Sequence, residues 1–137
     1  MATFNKFQDF VEALGLGEHN LNTDTLKVYL SNTTPSASGD ADKADLAEIS
    51  AGNGYTAGGT DIVNVWAESA GTGSLTGTDI TWTASGGTIG PFRYAVLYND
   101  THSTDGLIGW WDYGSSITLN DGEQFTVDFG ATILTIA

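Results

Sequence analysis

The feature that most constrains the fold is a series of short alternating segments that occupies the chain from residue 61 onward. In QFTVDF, residues 124–129, Phe125, Val127 and Phe129 alternate with polar side chains. Such alternation is typical of a half-buried strand, because successive side chains of a strand point to opposite faces. Turn signals such as SGG, DG and NDG separate the segments. This pattern predicts a mainly β fold, an antiparallel β-sandwich or jelly-roll-like domain.

The N-terminal residues follow a different period. In TFNKFQDFVEALG the apolar residues recur at spacings of three and four, which predicts one amphipathic helix within residues 1–17. Phe4, Phe7 and Phe10 share its predicted apolar face. Packing on the body of the same chain is the first interpretation, and packing on another subunit is the alternative.

Residues 32–60 contain little periodicity, and they separate the predicted strand TLKVYLS from the later strands. Long irregular segments in a compact domain are usually functional loops or arms. We therefore predict a loop or arm that contacts a neighbouring molecule. At 137 residues the whole chain, 1–137, is expected to form a single domain.

The stretch LIGWWDYG carries two adjacent tryptophans, Trp110 and Trp111. A flat sugar-binding platform needs its rings on one side, whereas neighbouring residues of a strand point to opposite sides. The same alternation predicts that Leu107 shares a face with Trp111, and Ile108 with Trp110. This strand and PFRYAVLYND are apolar on both faces, so one face should lie in the core and the other against an arm or a partner.

The charge balance excludes several partners. The chain has 17 acidic and 4 basic residues, for a formal net charge of −13. Nucleic-acid binding depends on lysines and arginines that neutralise phosphates, so no nucleic-acid partner is expected. Without a basic patch no anionic-membrane partner is expected either, and no apolar run reaches the ~18 residues that span a bilayer. The negative charge suits a protein displayed in many copies on a surface.

No catalytic constellation stands out. His19 and His102 lie in polar loops, and THSTD at residues 101–105 is interpreted as a solvated turn rather than as a triad. GNGYTAGG lacks the lysine of a phosphate-binding loop. Paired carboxylates for glycoside hydrolysis stay open as an alternative, although no pair is singled out. We expect a non-enzymatic protein without a cofactor.

Asp40, Asp42 and Asp45 resemble part of a calcium loop. The sixth position lacks glycine and the twelfth, Ala51, lacks the bidentate glutamate, so a solvated loop is favoured and no metal is predicted.

Arg93 lies in the middle of a predicted strand between aromatic residues and is the only arginine. If buried it needs an anionic partner, and Asp112 or Asp128 could supply one from a neighbouring strand. A structural ion pair between Arg93 and Asp112 is the prediction, in preference to a ligand site.

Several blocks of sequence resemble a family of small structural proteins of tailed bacteriophages. In chain order they are MATFNKFQDFVEAL, LKVYLSNTTP, DLAEISAGNGYTAGGT, IGPFRYAVLYND and LIGWWDYGSSITLNDGEQFTVDF, which together cover well over half of the chain. The resemblance implies a capsid cement, or decoration, protein on the exterior of the virion. Its implied partners are the major capsid protein and further copies of itself, as a homotrimer first and a dimer second.

On this interpretation Phe4, Phe7, Phe10 and the loop around Tyr55 are the expected contacts between subunits or with the capsid. Two alternatives from other classes remain. A tail, baseplate or receptor-binding component would recognise a host-surface glycan through exposed aromatic side chains at one tip. A small polysaccharide hydrolase would need two carboxylates ~5–9 Å apart in a cleft.

Overall fold

The computed structural model describes residues 2–137, which form ten strands, one α-helix and one short 3-10 helix. In chain order these elements are β1 (Phe4–Lys6), α1 (Gln8–Gly15), β2 (Leu26–Ser31), the 3-10 helix (Lys43–Asp45), β3 (Thr60–Asp61), β4 (Val65–Ser69), β5 (Thr72–Thr76), β6 (Ile80–Thr83), β7 (Ile89–Asn99), β8 (Leu107–Leu119), β9 (Gln124–Val127) and β10 (Leu134–Ile136). The chain is therefore mainly β with one helix, as the sequence predicts.

The strands form three open antiparallel sheets. The largest has the order β1-β8-β7-β2-β3, and two smaller sheets have the orders β10-β5-β4 and β6-β9. The long neighbours β7 and β8, of 11 and 13 residues, form the centre of the largest sheet. Strand β8 runs without interruption through LIGWWDYG and SITL, because no strong turn signal separates these segments.

Both faces of the five-stranded sheet are buried. On the first face, β2, β7 and β8 contribute residues such as Val28, Leu97 and Trp111 to a core shared with Leu75 of β5 and Trp82 of β6. A second cluster lies on the opposite face and contains Phe7, Tyr29, Leu46, Tyr94, Val96, Tyr98 and Leu107, with Trp110 packed against it. The prediction that these strands are apolar on both faces is confirmed.

The N-terminal segment differs from the predicted single helix of residues 1–17. Residues Phe4–Lys6 form an edge strand on β8, with Phe4 opposite Trp111, and the helix spans only Gln8–Gly15. The edge of β8 accepts this strand closely because Gly109 has no side chain, and the ring of Phe4 occupies that space. Tertiary pairing thus overrides the helical period. Among residues 2–137, no helix is long and apolar enough to cross a membrane.

The predicted faces of β8 are confirmed for the tryptophans and wrong for the residues before them. Trp111 packs in the first core and Trp110 against the second cluster, but Ile108 joins Trp111 and Leu107 joins Trp110. The cause is a register shift, because Leu97 pairs with Gly109 whereas Tyr98 pairs with Leu107. The bulge inserts Ile108 as an extra residue, and it reverses the alternation before it.

Candidate functional site

The two tryptophans are packing residues. The ring of Trp111 lies 5.0 Å from that of Phe4 and 5.3 Å from that of Phe129, measured between centroids. On the other side of the sheet, the ring centroid of Trp110 lies 4.6 Å from that of Phe7. Contacts of this kind between aromatic rings stabilise a core beyond the area that they bury. The two indoles therefore form no shared ring platform for a sugar.

The predicted contact residues lie mainly inside the chain's own core. Phe7 and Phe10 are buried, and Tyr55 is buried against Trp82 at a ring-centroid distance of 5.8 Å. The side chains of Phe7 and Tyr55 leave no surface for a second molecule in this conformation, whereas Phe10, although buried, lines the surface groove described below. Phe4 alone of the four is partly exposed, and it lines a surface groove described below.

Residues 32–60 fold back on the five-stranded sheet instead of extending to a neighbour. The hydroxyl of Tyr29 donates a hydrogen bond to the carbonyl of Leu46 at 2.8 Å, and the hydroxyl of Ser31 donates to the carbonyl of Ala47 at 2.6 Å. The N–H of Ile49 donates to the carbonyl of Leu30 at 3.0 Å. The expected protruding arm is thus a strap that covers the second face of its own sheet.

One carboxylate organises this strap. Glu48 accepts a hydrogen bond from Lys43 at 2.9 Å through Oε1, while Oε2 accepts from the hydroxyl of Tyr55 at 2.6 Å and from the N–H of Gly58 at 2.7 Å. Lys43 also lies over the ring of Tyr29, 4.8 Å from its centroid. Burial and the bond to Glu48 raise the pKa of Tyr55 far above its ordinary value, which keeps the phenol a neutral donor.

The structure brings Arg93 and Asp112 together across β7 and β8. Nε of Arg93 donates to Oδ1 of Asp112 at 2.8 Å and Nη2 donates to Oδ2 at 3.1 Å, a bidentate pair. The bond from Arg93, followed by one from the N–H of Gly114, lowers the pKa of the Asp112 carboxyl. Each side chain is 38% exposed, so solvent screens the pair and it contributes little to stability.

The acidic group around residues 40–45 serves local turns. Asp40 accepts the N–H of Ser36 at 2.8 Å, and Asp45 accepts those of Ala41 and Asp42, each at 3.0 Å. The two backbone bonds lower the pKa of Asp45. Within residues 2–137, no three His, Asp or Glu side chains are grouped so that they could hold a metal ion.

The two histidines, distant in sequence, meet in space. Their ring centroids are 5.0 Å apart, His19 being buried and His102 partly exposed. Asn99 donates to Nδ1 of His19 at 2.9 Å and to Asp24 at 2.7 Å, so neutral His19 carries its proton on Nε2. Nε2 of His102 lies 3.0 Å from a carboxylate oxygen of Glu18. The buried Asn99 thus joins the loop after α1 to the turn between β7 and β8.

His19 makes folding stability depend on pH. Burial lowers its pKa below the ordinary 6.5, His102 lowers it further, and Glu18, Asp24 and Asp9 oppose the shift. Below pH 6.5 the unfolded chain therefore binds more protons at this group than the folded chain, so stability falls as the pH falls from 6.5 to the folded pKa. At pH values below the pKa of His19 in the folded chain, the loss of folding stability from this group reaches its full value.

We expect the His19→Gln variant to lack this loss, because glutamine does not titrate. The free energy of unfolding of both proteins is measured in urea at about pH 7.5 and about pH 5.5. The value for the wild type minus the value for the variant should be smaller at the lower pH. A difference that stays constant between the two pH values would contradict the role of His19.

A groove of about 730 Å³ on the surface is lined mainly by apolar side chains. It lies between edge strand β1, helix α1 and edge strand β10, and both strands have one unpaired edge. It is lined by Phe4, Asn5, Lys6, Phe10, Val11, Leu14, Ala37, Trp110, Ile133, Leu134, Thr135 and Ile136. No acidic side chain lines it, although the chain carries a net charge of −13. An apolar groove beside unpaired strand edges suits the binding of another protein.

Comparison with protein-family models, curated proteins and solved structures gives no match to this chain. The function proposed below therefore rests on its residues, their geometry and the sequence resemblance.

Proposed function

We propose that this chain is a non-enzymatic structural protein of a bacteriophage virion, a capsid cement or decoration protein. In this role it binds the outer surface of the major capsid protein lattice, associates with further copies of itself and stabilises the head. The observation that carries the proposal is the acid-free apolar groove on an otherwise strongly acidic protein. Such a surface supports association between protein subunits on a shell rather than binding to a polyanion.

The physical requirements of a cement protein fit this chain. A filled capsid is under internal pressure, and a cement protein adds buried area across the seams between capsomers. This task needs a rigid body that presents a fixed surface, and both faces of the central sheet are packed here. The net charge of −13 disfavours a position against packaged DNA and supports the exterior.

We further propose that the body is a β-sandwich. The first core lies between the five-stranded sheet and residues of both smaller sheets, such as Leu75 of β5 and Val127 of β9. Antiparallel sheets facing each other across one core are the arrangement of sandwich folds. A rigid sandwich would transmit load between capsomers with little deformation.

The proposal is tested by the copy number of this chain in purified virions of the phage that encodes it. Peptides of this chain are quantified by mass spectrometry against the major capsid protein, with a tail protein of known copy number as the control. We expect a ratio near one chain per major capsid protein. A few copies, or a few dozen, would overturn the proposal and favour the tail or receptor-binding alternative.

A further inference from the structure

We infer that two different exposed apolar patches of this chain bind each other between copies, so that subunits associate head to tail. The first, the groove patch, comprises Val11, Leu14 and Ile136 in the groove described above. The second, the β4 patch, comprises Val63 and Val65. The inference deepens the proposed function by naming the surfaces through which copies of this chain associate. It rests on the proposed self-association and not on the proposed binding to a capsid.

The exposed apolar side chains come from different elements of the fold. Within residues 2–137, five large hydrophobic residues are exposed: Val11 (56%), Leu16 (67%), Val63 (66%), Val65 (50%) and Ile136 (47%). Val65 and Ile136 belong to β4 and β10, the opposite edge strands of the three-stranded sheet. Each edge of this sheet therefore presents apolar surface that a partner could bury.

The backbone at Val63 indicates that its exposure has a purpose. Val63 has a φ of 52°, which is an unusual conformation for a β-branched residue. The carboxylate of Asp61 accepts the N–H of Val63 at 2.7 Å and holds this turn. The strained conformation directs an apolar side chain into solvent, and strain of this kind is concentrated at functional contacts.

The charges of the two patches are complementary. Lys27, Lys43 and Arg93 each form an ion pair, whereas Lys6 has no acidic partner within 4.0 Å among the described residues. Lys6 is exposed and lines the groove, where no acidic side chain accompanies it. Asp61 provides negative charge beside the β4 patch. Association of these two surfaces would place Lys6 of one copy near an acidic region of the next.

A second copy is the occupant that these features favour, because one chain supplies the groove with its exposed Lys6 and an exposed apolar pair beside the acidic Asp61. A contact between two different patches is heterologous, and it produces a closed ring when the rotation between subunits allows it. A trimeric ring of this kind would present three equivalent surfaces to a threefold position of a capsid. A contact of the groove patch with itself would instead produce an isologous dimer.

Two charge-inserting variants test the inference. One carries Val63→Asp with Val65→Asp, and the other carries Val11→Asp with Ile136→Asp. At about 0.15 M salt, where long-range repulsion is screened, light scattering should show an oligomer for the wild type and one chain for each variant. A 1:1 mixture should regain a dimer, because one intact copy of each patch remains. The control, Ser103→Asp with Ser115→Asp, adds the same charge at exposed sites and should stay oligomeric.

Each other result overturns the inference. A monomeric wild type excludes self-association, oligomeric variants exclude these patches, and a mixture that stays monomeric excludes head-to-tail pairing. If the aspartates unfold the chain, Val63→Ser with Val65→Ser replaces the first variant and Val11→Ser with Ile136→Ser the second. The virion copy number is measured independently, so a stoichiometric but monomeric protein would overturn this inference alone. A dimer in the mixture with a low copy number would overturn only the proposed function.

Discussion

Replacing Gly59 by alanine is expected to destabilise the protein severely, whereas the same change at Gly17 is expected to cost little. The two glycines have nearly equal backbone conformations, with φ of +76° and +79°. They differ in their surroundings. A Cβ at Gly59 would collide with the carbonyl group of Val28 in β2, whereas a Cβ at Gly17 meets nothing within 4 Å. The comparison therefore separates steric collision from backbone strain.

Urea unfolding provides the measurement. Alanine in the left-handed region costs about 1–2 kcal/mol, which is the loss expected for Gly17→Ala. For Gly59→Ala we expect at least about 3 kcal/mol more, because the obstacle is main chain that moves only if the sheet moves. Equal losses in the two variants would contradict the close approach of Gly59 to β2. Gly59 immediately precedes β3, so this variant also tests whether the end of the strap is held on the sheet.

The local patterns of the sequence predict the strands well because alternation depends on burial of one face. In β9, the partly buried Phe125 and the buried Val127 alternate with exposed residues, as their spacing predicts. The N-terminal segment shows where this logic fails. Spacings of three and four place Phe4 and Phe7 on one helical face, but pairing with β8 makes Phe4 part of a strand. A pairing partner more than 100 residues away in the sequence leaves no local signal.

The candidate site is even less predictable from the sequence. The apolar groove joins residues from both ends of the chain, such as Phe4 and Ile136, and no pattern in the sequence connects them. The contact of His19 with His102 is equally distant, although each is visible as a histidine in a loop. Arg93 is the exception, because its place in mid-strand puts acidic residues of the neighbouring strand within reach, and Asp112 pairs with it although both side chains are partly exposed.

The strap could be recognised as irregular but not as buried. A segment without periodicity gives no indication of what it packs against, and residues 32–60 were expected to reach a neighbour. The apolar second face of the sheet supplied a signal, because residues such as Tyr29 and Val96 need a cover. Leu46 from the strap is part of that cover. An irregular segment and an uncovered apolar sheet face in the same chain together favour a strap over an arm.

Removing the carboxylate of Glu48 is expected to release this strap. The side chains of Lys43 and Glu48 are only 22% and 15% exposed, so Glu48→Ala leaves a largely buried ammonium group without its partner. The hydroxyl of Tyr55 and the N–H of Gly58 lose their acceptor as well. Breaking a buried pair by removing one member costs about 3–5 kcal/mol, and the partial exposure here favours a loss of about 3 kcal/mol.

Glu12→Ala is the matched control, because it removes the same charge from an exposed position on α1 and should change stability by no more than about 0.5 kcal/mol. Limited proteolysis then distinguishes local from global effects. In Glu48→Ala, cleavage within residues 32–60 should accelerate about tenfold for every 1.4 kcal/mol by which the free energy of local opening falls. Glu48→Gln, which keeps an acceptor but not the charge, should fall between wild type and Glu48→Ala. If Glu48→Ala matches Glu12→Ala in both measurements, the strap is held by apolar packing of residues such as Leu46 instead.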